Sequence, residues 1–270
     1  MTDRLIRYPS FASEWVEARP VDLWLPPGYD EGDHRYPVLY MHDGQNLFDP
    51  ALSFSGLAWG IDDVAAKLID QHQIRASVVV GIWNTKQRVQ EYMPQQPLEA
   101  APSHVADRFA ETFGGAPISD AYLRFIVLEL KPFVDAAYRT QPEPAHTFIM
   151  GSSMGGLIAL YALCEYPHCF GGAGCLSTSW TVAGPIMPPY LRRALPEPAT
   201  HTLYFDYGSE AQLAAYESYQ KQVDRIVLAA GYRRERNWTT RRYPGAAHSE
   251  QAWHDRLDEP LRFLLPCLDD

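Results

Sequence analysis

The chain has 270 residues, 46% of them apolar and 21% charged, with a formal net charge of −10. That length fits one large α/β domain or two small ones, and the apolar content suffices for a sizeable core. The acidic balance argues against a nucleic-acid partner, because a phosphate-binding face needs clustered Lys and Arg.

In chain order, Met1 to Ser10 mixes charged and apolar residues without the apolar stretch of a secretory signal, so a cytoplasmic location is expected. Residues 21–25 alternate and stop at Pro26-Pro27-Gly28, which predicts a strand and a turn. Residues 37–41 are a continuous apolar run, as for a strand covered on both faces, and lead into the polar loop His42-Asp43-Gly44-Gln45-Asn46. A helical stripe follows from Trp59 to Asp70, and residues 77–83 read as another buried strand. Residues 84–119 lack periodicity and are expected to be a long excursion over one rim. Residues 120–138 read as a helix that Pro132 kinks or restarts.

Residues 145–164 contain no Asp, Glu, Lys or Arg and are long enough to mimic a membrane span. Their centre, Gly151-Ser152-Ser153-Met154-Gly155-Gly156, faces lipid poorly, so a strand over 147–150, a turn and a helix over 154–166 are expected, with no membrane span. Further strands are predicted over 170–176, 202–207 and 237–243, and helices over 209–230 and 250–265. A Pro-rich loop or lid is expected over 181–199. Strands alternating with helices predict an α/β fold with a mostly parallel central sheet and helices on both faces. No repeat or linker marks a second domain, so residues 1–270 are read as one.

Cys164, Cys169, Cys175 and Cys267 form no C-x-x-C pair, and no His lies at zinc-finger spacing. His42 with Asp43, or His248 with Glu250, also lacks the i, i+4 spacing of a zinc protease, so no metal is expected. The basic group Arg233, Arg234, Arg236, Arg241 and Arg242 is read as a solvated edge partly paired with acidic residues.

The chemistry centres on Gly151-Ser152-Ser153-Met154-Gly155. A Ser hydroxyl needs a base to become a nucleophile, and it must stand clear of the sheet. A sharp strand-to-helix turn exposes it, and small flanking residues relieve the crowding that follows. Ser153 is therefore the candidate nucleophile. On a Ser, acid, His chain order, His248 in the loop after the final strand is the candidate base. Glu210 is the first choice for the acid, following Gly208, and Asp206 the second, inside the preceding strand. The N–H groups of Met154 and Gln45 are the expected oxyanion donors, with Gly44 as second choice for the latter. Asp43, Gly44, Asn84, Arg88 and Trp180 are candidate pocket residues. The run from Arg88 to Tyr92 either lines the pocket or carries a buried ion pair that braces a loop.

These residues resemble the putative-esterase branch of the α/β-hydrolases. The likeness is carried by residues 25–29, residues 37–48, Arg88 with residues 91–94, residues 129–133, the turn at Ser153, and the segments around Tyr204 and His248. That branch includes feruloyl and acetyl xylan esterases, enterochelin-type esterases, S-formylglutathione hydrolase and the mycolyltransferases. The resemblance implies an α/β-hydrolase fold and a serine esterase acting without a cofactor on a small-molecule ester of small or medium acyl size. An acyltransferase of the same fold, or a catalytically silent binding module, is the alternative. The second is disfavoured because nucleophile, base and acid candidates stand in order.

Overall fold

The computed structural model describes residues 4–209 and 214–267. Among these, eight strands form one sheet: β1 (Arg4–Phe11), β2 (Arg19–Leu25), β3 (Val38–His42), β4 (Val78–Ile82), β5 (Thr147–Ser152), β6 (Gly172–Leu176), β7 (Thr202–Gly208) and β8 (Trp238–Tyr243). Their order is β1-β2-β4-β3-β5-β6-β7-β8. β1 and β4 both run antiparallel to β2, and every pairing from β4 across to β8 is parallel.

The pleat divides the apolar runs between two cores. Val38 and Tyr40 of β3 join one cluster, while Leu39 and Met41 join the other. The first face is covered by α5 (Ser119–Arg124), α6 (Lys131–Ala137), α7 (Met154–Glu165), α9 (Met187–Ala194) and α10 (Ala214–Ala229). The second is covered by α1 (Ile61–Asp70), α11 (Glu250–His254) and α12 (Asp258–Leu264). In α1 the buried residues Ile61, Ala65 and Leu68 fall on one stripe, and Asp62 and Asp63 in the first turn oppose the helix dipole. α7 is buried on every side from Met154 to Cys164, which explains why its sequence is apolar all round.

The charge-free stretch is thus β5, a turn and α7, and no helix among the described residues is long and apolar enough to cross a membrane. The excursion after β4 contains α2 (Arg88–Tyr92), α3 (Gln95–Glu99) and α4 (Ser103–Phe113). Two of these are five residues long, too short to show a period, and Pro94 and Pro102 start α3 and α4. A π-helical run over Phe125–Leu130 precedes α6, and Pro132 sits in the first turn of α6, so of the two readings the restart is the one observed. Residues 181–199 carry α9 and the end of α8 (Trp180–Ala183), with Pro188 and Pro189 in the opening turn of α9. The final helix is broken into α11 and α12. The basic group flanks and lies on edge strand β8, where Arg241 pairs with Glu235 and Arg242 approaches Glu217.

β3 has β4 on one side and β5 on the other, so the connections leave it in opposite directions. In a parallel sheet this reversal opens a crevice at the carboxyl ends of the strands. Asp43, Asn84, Ser153, Ser179 and His248 all lie just beyond those ends.

Candidate active site

Ser153 sits between β5 and α7 with φ 57° and ψ −120°, a conformation that costs a non-glycine residue about 1–3 kcal/mol. Three backbone bonds hold it there: its N–H donates to Leu176 O at 2.8 Å, and its carbonyl accepts from Ser179 N–H at 3.0 Å and from Leu157 N–H at 3.3 Å. The turn brings strand and helix into contact. A Cβ on Gly151 would lie 2.8 Å from the carbonyl carbon of Gly155, so the first glycine of the motif is sterically required.

Ser153 Oγ lies 2.9 Å from His248 Nε2 and 2.9 Å from Ser179 Oγ. His248 follows β8 in an irregular segment, and Trp253 of α11 meets its ring edge-on at 5.1 Å between centroids. Ser152, one residue before the nucleophile candidate, is buried. Ser179, in contact with Ser153 Oγ, is not among the candidates that the sequence offers. Its only local sign is a small polar residue shortly after a strand, which many turns share.

Glu210, the first choice for the acid, lies outside the described residues. Asp206 is fully buried in β7 and accepts from Arg256 Nη2 at 2.9 Å, Arg256 Nε at 3.1 Å and Ser177 N–H at 3.2 Å. Arg256, from the break between α11 and α12, also donates to Ser177 Oγ at 2.9 Å. The Asp206 carboxylate therefore anchors the turn that leads from β6 to Ser179, and its described hydrogen bonds do not include His248.

Met154 N–H belongs to the first turn of α7, where amides have no acceptor four residues back and the positive end of the helix dipole is focused. Gln45 lies in a short 3₁₀ turn (Gly44–Asn46) entered through Asp43 at φ 59°. Gly44 packs so closely that a Cβ would lie 2.6 Å from the carbonyl carbon of Gly81. Asp43 accepts from Arg88 Nε and Nη2 at 2.7 Å each and from Asn84 Nδ2 at 2.5 Å. Burial opposes its charge, but Arg88 and Asn84 outweigh that and hold the carboxyl below its usual range. Behind it, burial lowers the His42 imidazole to about 3, so it is neutral at working pH, with Nδ1 2.8 Å from Tyr122 Oη.

A cavity of about 540 Å³ opens over Ser153 and His248, with Gln45, Asn46, Phe54, Asn84, Arg88 and Trp253 in its wall. Both readings of the Arg88 segment thus hold: Arg88 lines the cavity, and Glu91 forms a buried ion pair, though with Arg19. Trp180, expected at the pocket, is buried instead, its indole N–H donating to Gln220 Oε1 at 2.8 Å. Among the described residues no three His, Cys, Asp or Glu side chains converge as a metal-holding group.

The His248 imidazole is held below its ordinary 6.5, first by loss of water around the ring and then by the positive charges of Arg256 and Arg88. Only the neutral ring can accept a proton, so kcat/KM on an ester should rise with pH and level off once the ring is deprotonated. The midpoint of that rise is expected below 6.5, and a pH–rate profile with its acid limb centred above that value would contradict this electrostatic account.

Comparison with known proteins places the chain in a family and a fold. The family model described as Putative esterase matches residues 13–264. The chain is 27% identical over 192 residues to the protein YbbA of Bacillus subtilis (strain 168), covering 71% of this chain and 68% of that one. Its structure is similar to a ferulic acid esterase, with a TM-score of 0.70 at 17% identity, covering 98% of this chain and 99% of the other. It is also similar to an IroE-like serine hydrolase from Shewanella oneidensis, with a TM-score of 0.72 at 20% identity, covering 98% and 80%. With a family match spanning most of the chain and a sheet of the same fold, the protein belongs to the putative-esterase family of α/β-hydrolases, whose reaction class is carboxylic-ester hydrolysis.

Proposed function

We propose that the protein hydrolyses a small-molecule ester of small or medium acyl size through an acyl-enzyme on Ser153. The observation that carries this reading is the 2.9 Å contact between Ser153 Oγ and His248 Nε2, made from a strained turn at the amino end of α7. His248 takes the hydroxyl proton as Oγ bonds to the substrate carbonyl carbon. The N–H groups of Met154 and Gln45 receive the oxyanion. Collapse expels the alcohol, which takes the proton from Nε2. Water then gives a proton to Nε2 and attacks the acyl carbon, and Ser153 Oγ leaves and is reprotonated. Glu210 is assigned as the acid that orients the imidazole.

A cavity of about 540 Å³ lies in the range of small-molecule sites and suits a compact acyl group. The test uses p-nitrophenyl esters of increasing acyl length together with a fluorophosphonate label located by mass spectrometry. Turnover of the short esters, absent in Ser153→Ala, with label on Ser153, is the expected result. A folded protein that neither turns over these esters nor takes label at Ser153 would leave the fold without this chemistry.

A further inference from the structure

We infer that Ser179 is a second catalytic hydroxyl, acting on Ser153 Oγ when that atom is the leaving group in hydrolysis of the acyl-enzyme. This rests on the assignment of Ser153 as nucleophile. Ser179 is 7% exposed, and its Oγ lies 2.9 Å from Ser153 Oγ. The separation is fixed twice over, because Ser179 N–H also donates to the Ser153 carbonyl at 3.0 Å. The turn that presents Ser179 is itself braced: Ser177, at φ 42°, is held by Asp206 through its N–H and by Arg256 through its Oγ.

Hydrogen-bond polarity sets the role. Neutral His248 offers a lone pair at Nε2, so Ser153 gives its proton there and cannot also give it to Ser179. The Ser179 hydroxyl is then the donor and Ser153 Oγ the acceptor. In the free enzyme this bond is already made to a good hydroxyl acceptor, so it changes little as Ser153 attacks. In the acyl-enzyme Oγ is the bridging oxygen of an ester, a poor acceptor. When the tetrahedral adduct of water collapses, the C–Oγ bond breaks, and its electron pair goes to Oγ as His248 returns the proton. The Ser179 bond is therefore weak in that ground state and strong in the transition state, the condition under which an interaction accelerates a step. Ser179 itself gives up no proton.

Loss of one such bond is worth about tenfold in rate. The experiment is stopped-flow release of p-nitrophenolate from p-nitrophenyl acetate by wild type, Ser179→Ala and Ser179→Thr, with Ser153→Ala in parallel. Ser179→Ala should show kcat lowered about tenfold and a burst near one equivalent, because acyl-enzyme hydrolysis slows more than its formation. Ser179→Thr, which keeps a hydroxyl, should recover part of the hydrolysis step. Equal slowing of both steps with no recovery in Ser179→Thr would assign Ser179 to packing and overturn the inference, as would a Ser179→Ala enzyme with wild-type rates for both. Turnover persisting in Ser153→Ala would overturn the nucleophile assignment instead, and so separates the two failures.

Discussion

Replacing His248 by alanine should lower kcat on p-nitrophenyl acetate by roughly 10⁴- to 10⁶-fold, the loss found when a member of a concerted triad is removed. Adding Ser153→Ala to that variant should cost little more, because the two side chains act on one proton and neither works alone. The residual rate is assigned to the proposed oxyanion donors, Met154 and Gln45, and to the cavity, which both substitutions leave in place. Stability should barely change. The described contacts of the His248 ring are Ser153 Oγ and the edge of Trp253, and its loop is held by others such as Gly245 N–H to Ser209 Oγ at 3.1 Å, which the substitution does not touch. Steady-state kinetics of both single variants and the double variant, beside thermal unfolding, check this. Losses that multiply in the double variant would mean that His248 and Ser153 act in separate steps.

How far the sequence disclosed this site depends on whether the deciding contact was local. The turn at Ser153 was legible because part of its constraint is local: a Cβ on Gly151 would strike the Gly155 backbone four residues on, whereas one on Gly155 would meet Asp43 and His42, which are distant in sequence. The buried strands were legible for a similar reason, since covering β3, β4 and β5 on both faces leaves continuous apolar runs. β1 was not read as a strand. It is an edge strand with a register shift between Tyr8 and Phe11, around Pro9, and much of it is exposed, so little apolar alternation is imposed on it. Ser179 and the Asp206–Arg256 pair escaped because their partners lie 26 and 50 residues away. Asp206 had the right residue type in nearly the right place for a triad acid, and its burial against an arginine is a property of the fold, not of its neighbours in sequence. The same holds for Asp43, whose partner Arg88 stands 45 residues on.

Removing the Glu91 carboxylate should destabilise the protein by about 3–5 kcal/mol, more than most single substitutions, because it leaves a charged group buried without its counter-ion. The Arg19 and Glu91 side chains are both fully buried and joined by two bonds, Nη2 to Oε1 at 2.5 Å and Nη1 to Oε2 at 2.8 Å. Arg19 also donates to Glu17 O, and its guanidinium lies over the rings of Tyr122 and Phe125. In Glu91→Ala those contacts remain, yet the guanidinium has neither water nor carboxylate. For a chain of this size the cost corresponds to a fall in Tm on the order of 10 °C. A double variant, Arg19→Met with Glu91→Leu, should recover most of it, since neither charge is then buried. The defect should also reach the active site. Glu91 belongs to α2, which carries Arg88, the partner of Asp43, and Tyr92, whose hydroxyl accepts the Asp43 N–H at 3.3 Å. Loosening α2 frees the turn that positions Gln45, so Glu91→Ala should lose kcat as well as stability even where it is still folded. Urea unfolding and kinetics at low temperature test the two parts separately. A Glu91→Ala protein within about 1 kcal/mol of wild type would mean that the buried pair contributes far less than its geometry implies.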